Sequence, residues 1–167
     1  MEAVKFTVPD DNAIQISVVE PEEKPCKVVF ATMCKNEEHC ILETLASVAD
    51  HIDSWVVCDT GSTDKTCEIV QKFFDERNIP GELFQDEWQG FEHNKTLMMQ
   101  RCQNRADFIL HLDADDIFHG DLEEIKTMLR RNVSHYMMTV RRGHNTRYAA
   151  TQFFNASLKW RIVGVRH

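Results

Sequence analysis

Three carboxylates close the run Phe108-Ile109-Leu110-His111-Leu112-Asp113-Ala114-Asp115-Asp116. Its apolar half has the character of a short buried strand. Asp113 and Asp115 stand two apart, so in an extended segment both side chains point the same way. Two carboxylates converging at a strand mouth repel each other unless a cation lies between them. Oxygen ligands suit a hard divalent ion, and Mg²⁺ or Mn²⁺ in such a site also holds substrate phosphates. As local structure alone, the same residues make a strand followed by an acidic turn, because Asp is a common turn former.

Three more polar loops accompany this one. The first is Thr32-Met33-Cys34-Lys35-Asn36-Glu37-Glu38. It contains no glycine, so it is neither a Walker loop nor the glycine-rich turn of a dinucleotide fold. The second is Asp59-Thr60-Gly61-Ser62-Thr63-Asp64-Lys65-Thr66. There Gly61 permits a tight turn, and Asp59, expected to be partly exposed at a sheet edge, can accept from a ribose hydroxyl or a base N–H. The third, Trp88 to Thr96, places Lys95 in the first turns of a helix. A cation is unfavourable at that end of the dipole, whereas a nearby diphosphate would stabilise it. Each loop also has a plain reading as turn and cap residues.

The elements that must position these loops alternate. Residues 26–31 form a near-continuous apolar run, as in a strand covered on both faces. Ile41, Leu42, Leu45, Val48 and Ile52 then fall at helical spacing over 37–52, with Asn36 as cap. A strand is predicted at 55–58, a helix bearing Ile69, Val70, Phe73 and Phe74, a short strand at 82–84, and a helix over 91–105. The strand into Asp113 follows, then a helix over 121–131 whose Asp121 and Glu124 resemble a capping box. Strands are expected at 135–140, 148–154 and 159–163. Repeated strand–helix units make a mostly parallel sheet with helices on both faces, an α/β fold. Ligands of such folds bind where the strand carboxyl ends open, which is where Asp59 and Asp113 lie. Residues 4–8 and 14–19 are expected to form a hairpin added to an edge of that sheet.

Bulk properties narrow the class. With 167 residues, 43% hydrophobic and 28% charged, the chain has the size and composition of one ordinary globular domain. Its net charge of −8 argues against a nucleic-acid binder. No apolar run approaches the ~20 residues of a membrane span. The N-terminus lacks the basic and apolar regions of a secretory signal, so a cytoplasmic location is expected. Cys26, Cys34, Cys40, Cys58, Cys67 and Cys102 follow no ligand spacing and are expected to be free thiols, not disulfides or zinc ligands. The sequons at Asn94, Asn132 and Asn155 are read as chance.

Taken in order and spacing, the loop at 32–38, the segment 57–66, Phe91-Glu92-His93-Asn94-Lys95-Thr96 and Asp113-Ala114-Asp115-Asp116 resemble family 2 glycosyltransferases. The resemblance runs from about residue 27 to residue 167. It implies a GT-A fold with a metal-binding Asp-x-Asp, a nucleotide sugar donor with UDP-sugars favoured, a hydroxyl acceptor, and inversion at C1. Residue by residue, it implies that Thr32, Cys34, Asn36 and Glu37 wall the base. Asp59 and Gly61 would hold base or ribose, and Asp113 would bind ribose or metal-bound water. Asp115 would ligate Mn²⁺ or Mg²⁺ at the diphosphate, with Asp113 and His167 completing the shell. Lys95 stands where relatives commonly carry arginine, which replaces a fork with a point charge. Asp116, or an acid of the Asp86-Glu87 pair, is the candidate base within the chain.

Relatives usually continue past the histidine, often with an acidic residue next, and this sequence stops at His167. The resemblance thus implies a GT-A domain over 26–167 curtailed at its acceptor side, after the N-terminal β extension read over 1–25, with the base either beyond residue 167 or among the acids just named. A donor-binding GT-A domain without turnover is the competing reading. A phosphotransferase of haloacid-dehalogenase type fits less well, since Ile117 stands where its motif wants Thr or Val. A calcium loop fits least, because Ile117 falls at a ligand position and Phe118 where glycine is needed.

Overall fold

The computed structural model of the chain describes residues 3–7, 15–19, 24–142 and 146–164. Its elements run β1 (Ala3–Thr7), β2 (Gln15–Val19), β3 (Val28–Cys34), α1 (Ile41–Val48), β4 (Ser54–Asp59), α2 (Thr66–Arg77), β5 (Gly81–Gln85), α3 (Phe91–Cys102), β6 (Phe108–His111), α4 (Leu122–Met128), β7 (His135–Arg142) and β8 (Thr146–Asn155). A six-stranded sheet has the order β5-β4-β3-β6-β8-β7. The first four of these strands are parallel, and β8 and β7 close the far side as antiparallel strands.

Alternation along the central strand explains the layers. Val28 and Phe30 face a core shared with Ile41 and Leu45 of α1, Phe73 and Phe74 of α2, and Leu122 of α4. Val29 and Ala31 face the opposite core with Met98, Met99 and Cys102 of α3. A strand buried on both faces must be apolar at successive positions, which is why its sequence reads as a run. Each fully buried large side chain of this kind contributes roughly 1.5–3 kcal/mol relative to exposure. Trp55 stacks on Phe74 with centroids 4.3 Å apart, and its Nε1 donates to Ile79 O at 2.9 Å. Gly81 lies opposite Trp55 in the ladder, where a Cβ would overlap the indole ring.

Several elements depart from the sequence expectation. The first helix is shorter than 37–52, because residues 38–40 form a turn and α1 begins at Ile41. Asn36 is not its cap: the residue before the helix is Cys40, with no side-chain cap bond. Residues 159–163 are not a strand. Thr96 of α3 accepts from Ile162 N at 3.0 Å, and Trp160 Nε1 donates to Asn155 O at 2.8 Å, so side chains hold the segment where a ladder was expected. The hairpin forms, with Ala3 opposite Val19 and Thr7 opposite Gln15, but as a two-stranded sheet of its own. The edges of the large sheet are β5 and β7. Asp121 caps α4 as expected, accepting from Glu124 N at 3.0 Å.

Candidate functional site

Strand order decides where the polar loops meet. From β3 the chain steps outward to β4 and β5, then returns through α3 to place β6 on the other side of β3. The carboxyl ends of β3 and β6 therefore flank a switch point, where open α/β sheets form a ligand crevice. The loops after β3, β4, β5 and β6 all leave from that edge of the parallel strands.

The loops after β3 and β4 are zipped together. Asn36 has a left-handed backbone, φ 57°; its N–H donates to Ser62 Oγ at 2.8 Å, and its Oδ1 accepts from Thr63 N at 2.8 Å. Glu37 N donates to Thr66 Oγ1 at 2.8 Å, and Lys65 N donates to Glu38 Oε2 at 2.9 Å. Asn tolerates this backbone region better than most residues, which suits it to the cross-link. Thr32 is fully buried inside β3, and its Oγ1 makes no hydrogen bond among the described residues. Cys34 is also buried; desolvation first, then the charge of Asp59, pushes its thiol well above the usual range, so it stays protonated.

Asp59 does not lie exposed at the edge as expected: it is 1% exposed. Its Oδ2 accepts from Gly61 N at 3.1 Å and Ser62 N at 3.0 Å, and the Ser62 hydroxyl donates to Oδ1. A carboxylate that takes up the first N–H groups of its own turn sets the loop's shape. Gly61 follows at φ 97°, a conformation that disfavours side chains, and a Cβ there would meet nothing within 4 Å. The turn is thus open on that side.

The carboxylate run is also not arranged as an extended strand. β6 ends at His111, and Asp116 N donates to Asp113 O at 3.0 Å, closing a turn over Ala114 and Asp115. Thr44 Oγ1 donates to Ala114 O at 2.7 Å and Phe118 N donates to Ser47 Oγ at 3.0 Å, which anchors the turn to α1. Asp113 Oδ1 pairs with Lys95 Nζ at 3.1 Å. Asp115 is exposed and, with Asp116, lines a cleft of about 740 Å³ bounded by Phe118, Met138, Arg141 and Gln152. The cleft therefore lies between the acidic turn and strands β7 and β8. The exposed carboxylate of Asp115 and the half-buried one of Asp116 are hard oxygen donors and fit Mn²⁺ or Mg²⁺. His167 lies outside the described residues.

His111, beside Asp113, is a residue that the sequence reading passed over. Its Nδ1 lies 3.3 Å from Ala31 O and 3.1 Å from Leu112 O, and its Nε2 is 3.9 Å from Asp113 Oδ1. Burial, reinforced by the charge of Lys95, lowers its pKa to about 4, so the ring is neutral near pH 7. Carbonyl neighbours require the proton on Nδ1, leaving a lone pair on Nε2 at the Asp113 side. A polar residue inside the apolar run 108–112 was the available signal. Arg101 was missed as well: it pairs with Asp86 through both guanidinium nitrogens and stacks 4.0 Å over the Phe84 ring. Asp86 is thereby committed to a structural pair. Burial, and next the hydrogen bond to Glu37, push the Cys40 thiol up to about 12.

Sequence comparison identifies the lineage. The profile described as Glycosyl transferase family 2 matches residues 30–161. The chain belongs to glycosyltransferase family 2. This family 2 chain is 28% identical over 98 residues to an uncharacterized glycosyltransferase of Rickettsia typhi, covering 59% of the chain and 31% of that relative. Among solved structures, S. aureus TarS 1–349 in complex with UDP-GlcNAc is 26% identical with a TM-score of 0.50, covering 61% of this chain and 30% of that one. The mannosyltransferase PcManGT from Pyrobaculum calidifontis, in complex with GDP-Man and Mn²⁺, is 20% identical with a TM-score of 0.56, covering 67% and 35%. That second likeness is one of fold. Together with the mostly parallel sheet they bear out the GT-A expectation. The chain spans about a third of the length of the curated relatives it matches. No helix among the described residues is long and apolar enough to cross a membrane.

Proposed function

We propose that this chain carries the donor site of a metal-dependent glycosyltransferase, which moves a sugar from a nucleotide diphosphate sugar to a hydroxyl acceptor with inversion at C1. The observation that carries the reading is the acidic turn, anchored to α1 at the switch point, with Asp115 and Asp116 open to the cleft. Similarity to TarS, whose structures hold UDP and UDP-GlcNAc, favours a UDP-sugar.

In this reading the zipped loops 35–38 and 60–65 form the nucleobase side of the site, with Asp59 fixing their shape and the open face of Gly61 admitting the nucleoside. Lys95 supplies positive charge toward the diphosphate, and Asp113 holds that lysine in place. Mn²⁺ or Mg²⁺ on Asp115, with Asp113 and His167 as further ligands, would stabilise the negative charge of the leaving diphosphate as a Lewis acid. Asp116 faces the same cleft and is the chain's own candidate for deprotonating the acceptor hydroxyl. Residues 26–167 are the GT-A unit and 1–25 an extension to it. The protein supplies position and field, so small displacements are costly.

Calorimetric titration with UDP and with GDP, each with Mn²⁺ and with chelator, tests the reading. Metal-dependent binding of UDP is expected. Equal affinity in chelator would remove the metal from the proposal, and failure of both nucleotides would remove the donor site.

A further inference from the structure

Glu37, His39 and Cys40 lie on the turn that enters α1, with one donor atom from each within 4.8 Å of the others. Cys40 Sγ is 3.2 Å from Glu37 Oε2, and His39 Nε2 is 4.0 Å from the same oxygen. Carboxylate, imidazole and thiol together form a donor set quite unlike the all-oxygen turn at Asp115. Thiolate and imidazole select borderline-soft ions, and zinc accepts all three ligand types at tetrahedral geometry. Tetrahedral zinc sets its donors roughly 3.5 Å apart, so the observed spacings need only small closure. His39 can provide it, since its side chain is 74% exposed. Glu37 and Cys40 are half-buried and held from behind: Glu37 N donates to Thr66 Oγ1, and Cys40 Sγ lies 3.9 Å from Ala114 O.

We propose that Glu37, His39 and Cys40 form a zinc site on the turn entering α1, with none of the three among the residues that line the cleft at Asp115. On binding, the Cys40 thiol gives its proton to solvent, its sulfur pair goes to the metal, and a water fills the fourth position. Because Cys40 touches Ala114, an occupied site would also brace the acidic turn against α1. The site shares Glu37 with the nucleobase side of the proposed donor site, but the metal titration that tests it does not depend on that activity.

The test uses reduced, chelator-treated protein titrated with Co²⁺, then with Zn²⁺. One equivalent of Co²⁺ is expected to produce a sulfur-to-cobalt charge-transfer band with intense tetrahedral d–d bands, both displaced by Zn²⁺. Cys40→Ser should abolish the charge-transfer band. His39→Ala, at an exposed position that spares the fold, should weaken Co²⁺ binding at least ~10-fold, no less than the loss of an outer-shell partner. Cys67→Ser, at the other half-buried cysteine, should leave the band intact. Absence of the band in the parent protein, its survival in Cys40→Ser, or its loss in Cys67→Ser would each overturn the proposal.

Discussion

Lys95 and Asp113 meet at 3.1 Å, the lysine from the second turn of α3 and the aspartate from just beyond β6. Their side chains are 22% and 43% exposed, so the pair lies at the wall of the site, neither in its core nor in open solvent. Lys95→Ala is expected to weaken UDP binding about tenfold to a hundredfold, the range for a hydrogen bond to a charged group. Lys95→Arg should retain most of the affinity, because the charge survives. Titration calorimetry of the two variants checks this, and unchanged affinity in Lys95→Ala would remove the lysine from the diphosphate site.

Asp59 and Asp115 should separate folding from binding. Asp59→Ala removes a buried carboxylate and leaves the part-buried N–H bonds of Gly61 and Ser62 without their acceptor. A loss of about 1–3 kcal/mol in unfolding free energy is expected, with UDP affinity falling alongside it. Asp115→Ala removes an exposed side chain, so stability should stay within about 0.5 kcal/mol while the Mn²⁺ dependence of UDP binding disappears. Urea denaturation and calorimetry on both variants decide the matter. Equal stability for the two would contradict the structural role given to Asp59.

The Arg101–Asp86 pair ties the end of β5 to α3, with side chains 20% and 11% exposed. Arg101→Met strands a largely buried carboxylate and is expected to cost about 3 kcal/mol or more. Adding Asp86→Asn should recover a substantial part of that loss, since the uncompensated charge goes. A double-mutant cycle by chemical denaturation measures the coupling. Additive effects would show that the two residues act independently.

Asp107 gives a pH dependence with a definite sign. Hydrogen bonds from Arg131, then from Lys27 N, hold its carboxyl below the usual range despite partial burial. The unfolded chain therefore binds this proton more readily than the folded one. The stabilisation is complete above the ordinary carboxylate pKa of about 3.9 and is lost as pH falls through the lower folded value. Acid denaturation of Asp107→Asn should show a shallower loss in that window than the parent protein. An unchanged acid limb would remove Asp107 from the account.

Much of the architecture is legible along the chain. Alternating apolar runs and helical spacings report which face each residue turns toward a core, so the parallel strands β3 to β6 and the helices between them follow from local pattern. The capping role of Asp121 is local too, because turn chemistry acts within a few residues. The pairings that define the site are of another kind. Asn36 reads as a helix cap in sequence, yet strand register sets Cys34 opposite Asp59 and so brings Asn36 against Ser62 and Thr63. The same juxtaposition buries Asp59. The return of β6 beside β3 brings Asp113 to Lys95, and Arg101 finds Asp86 across the end of β5. Periodicity within an element carries no record of strand order or register, so these contacts exist only once the sheet has closed.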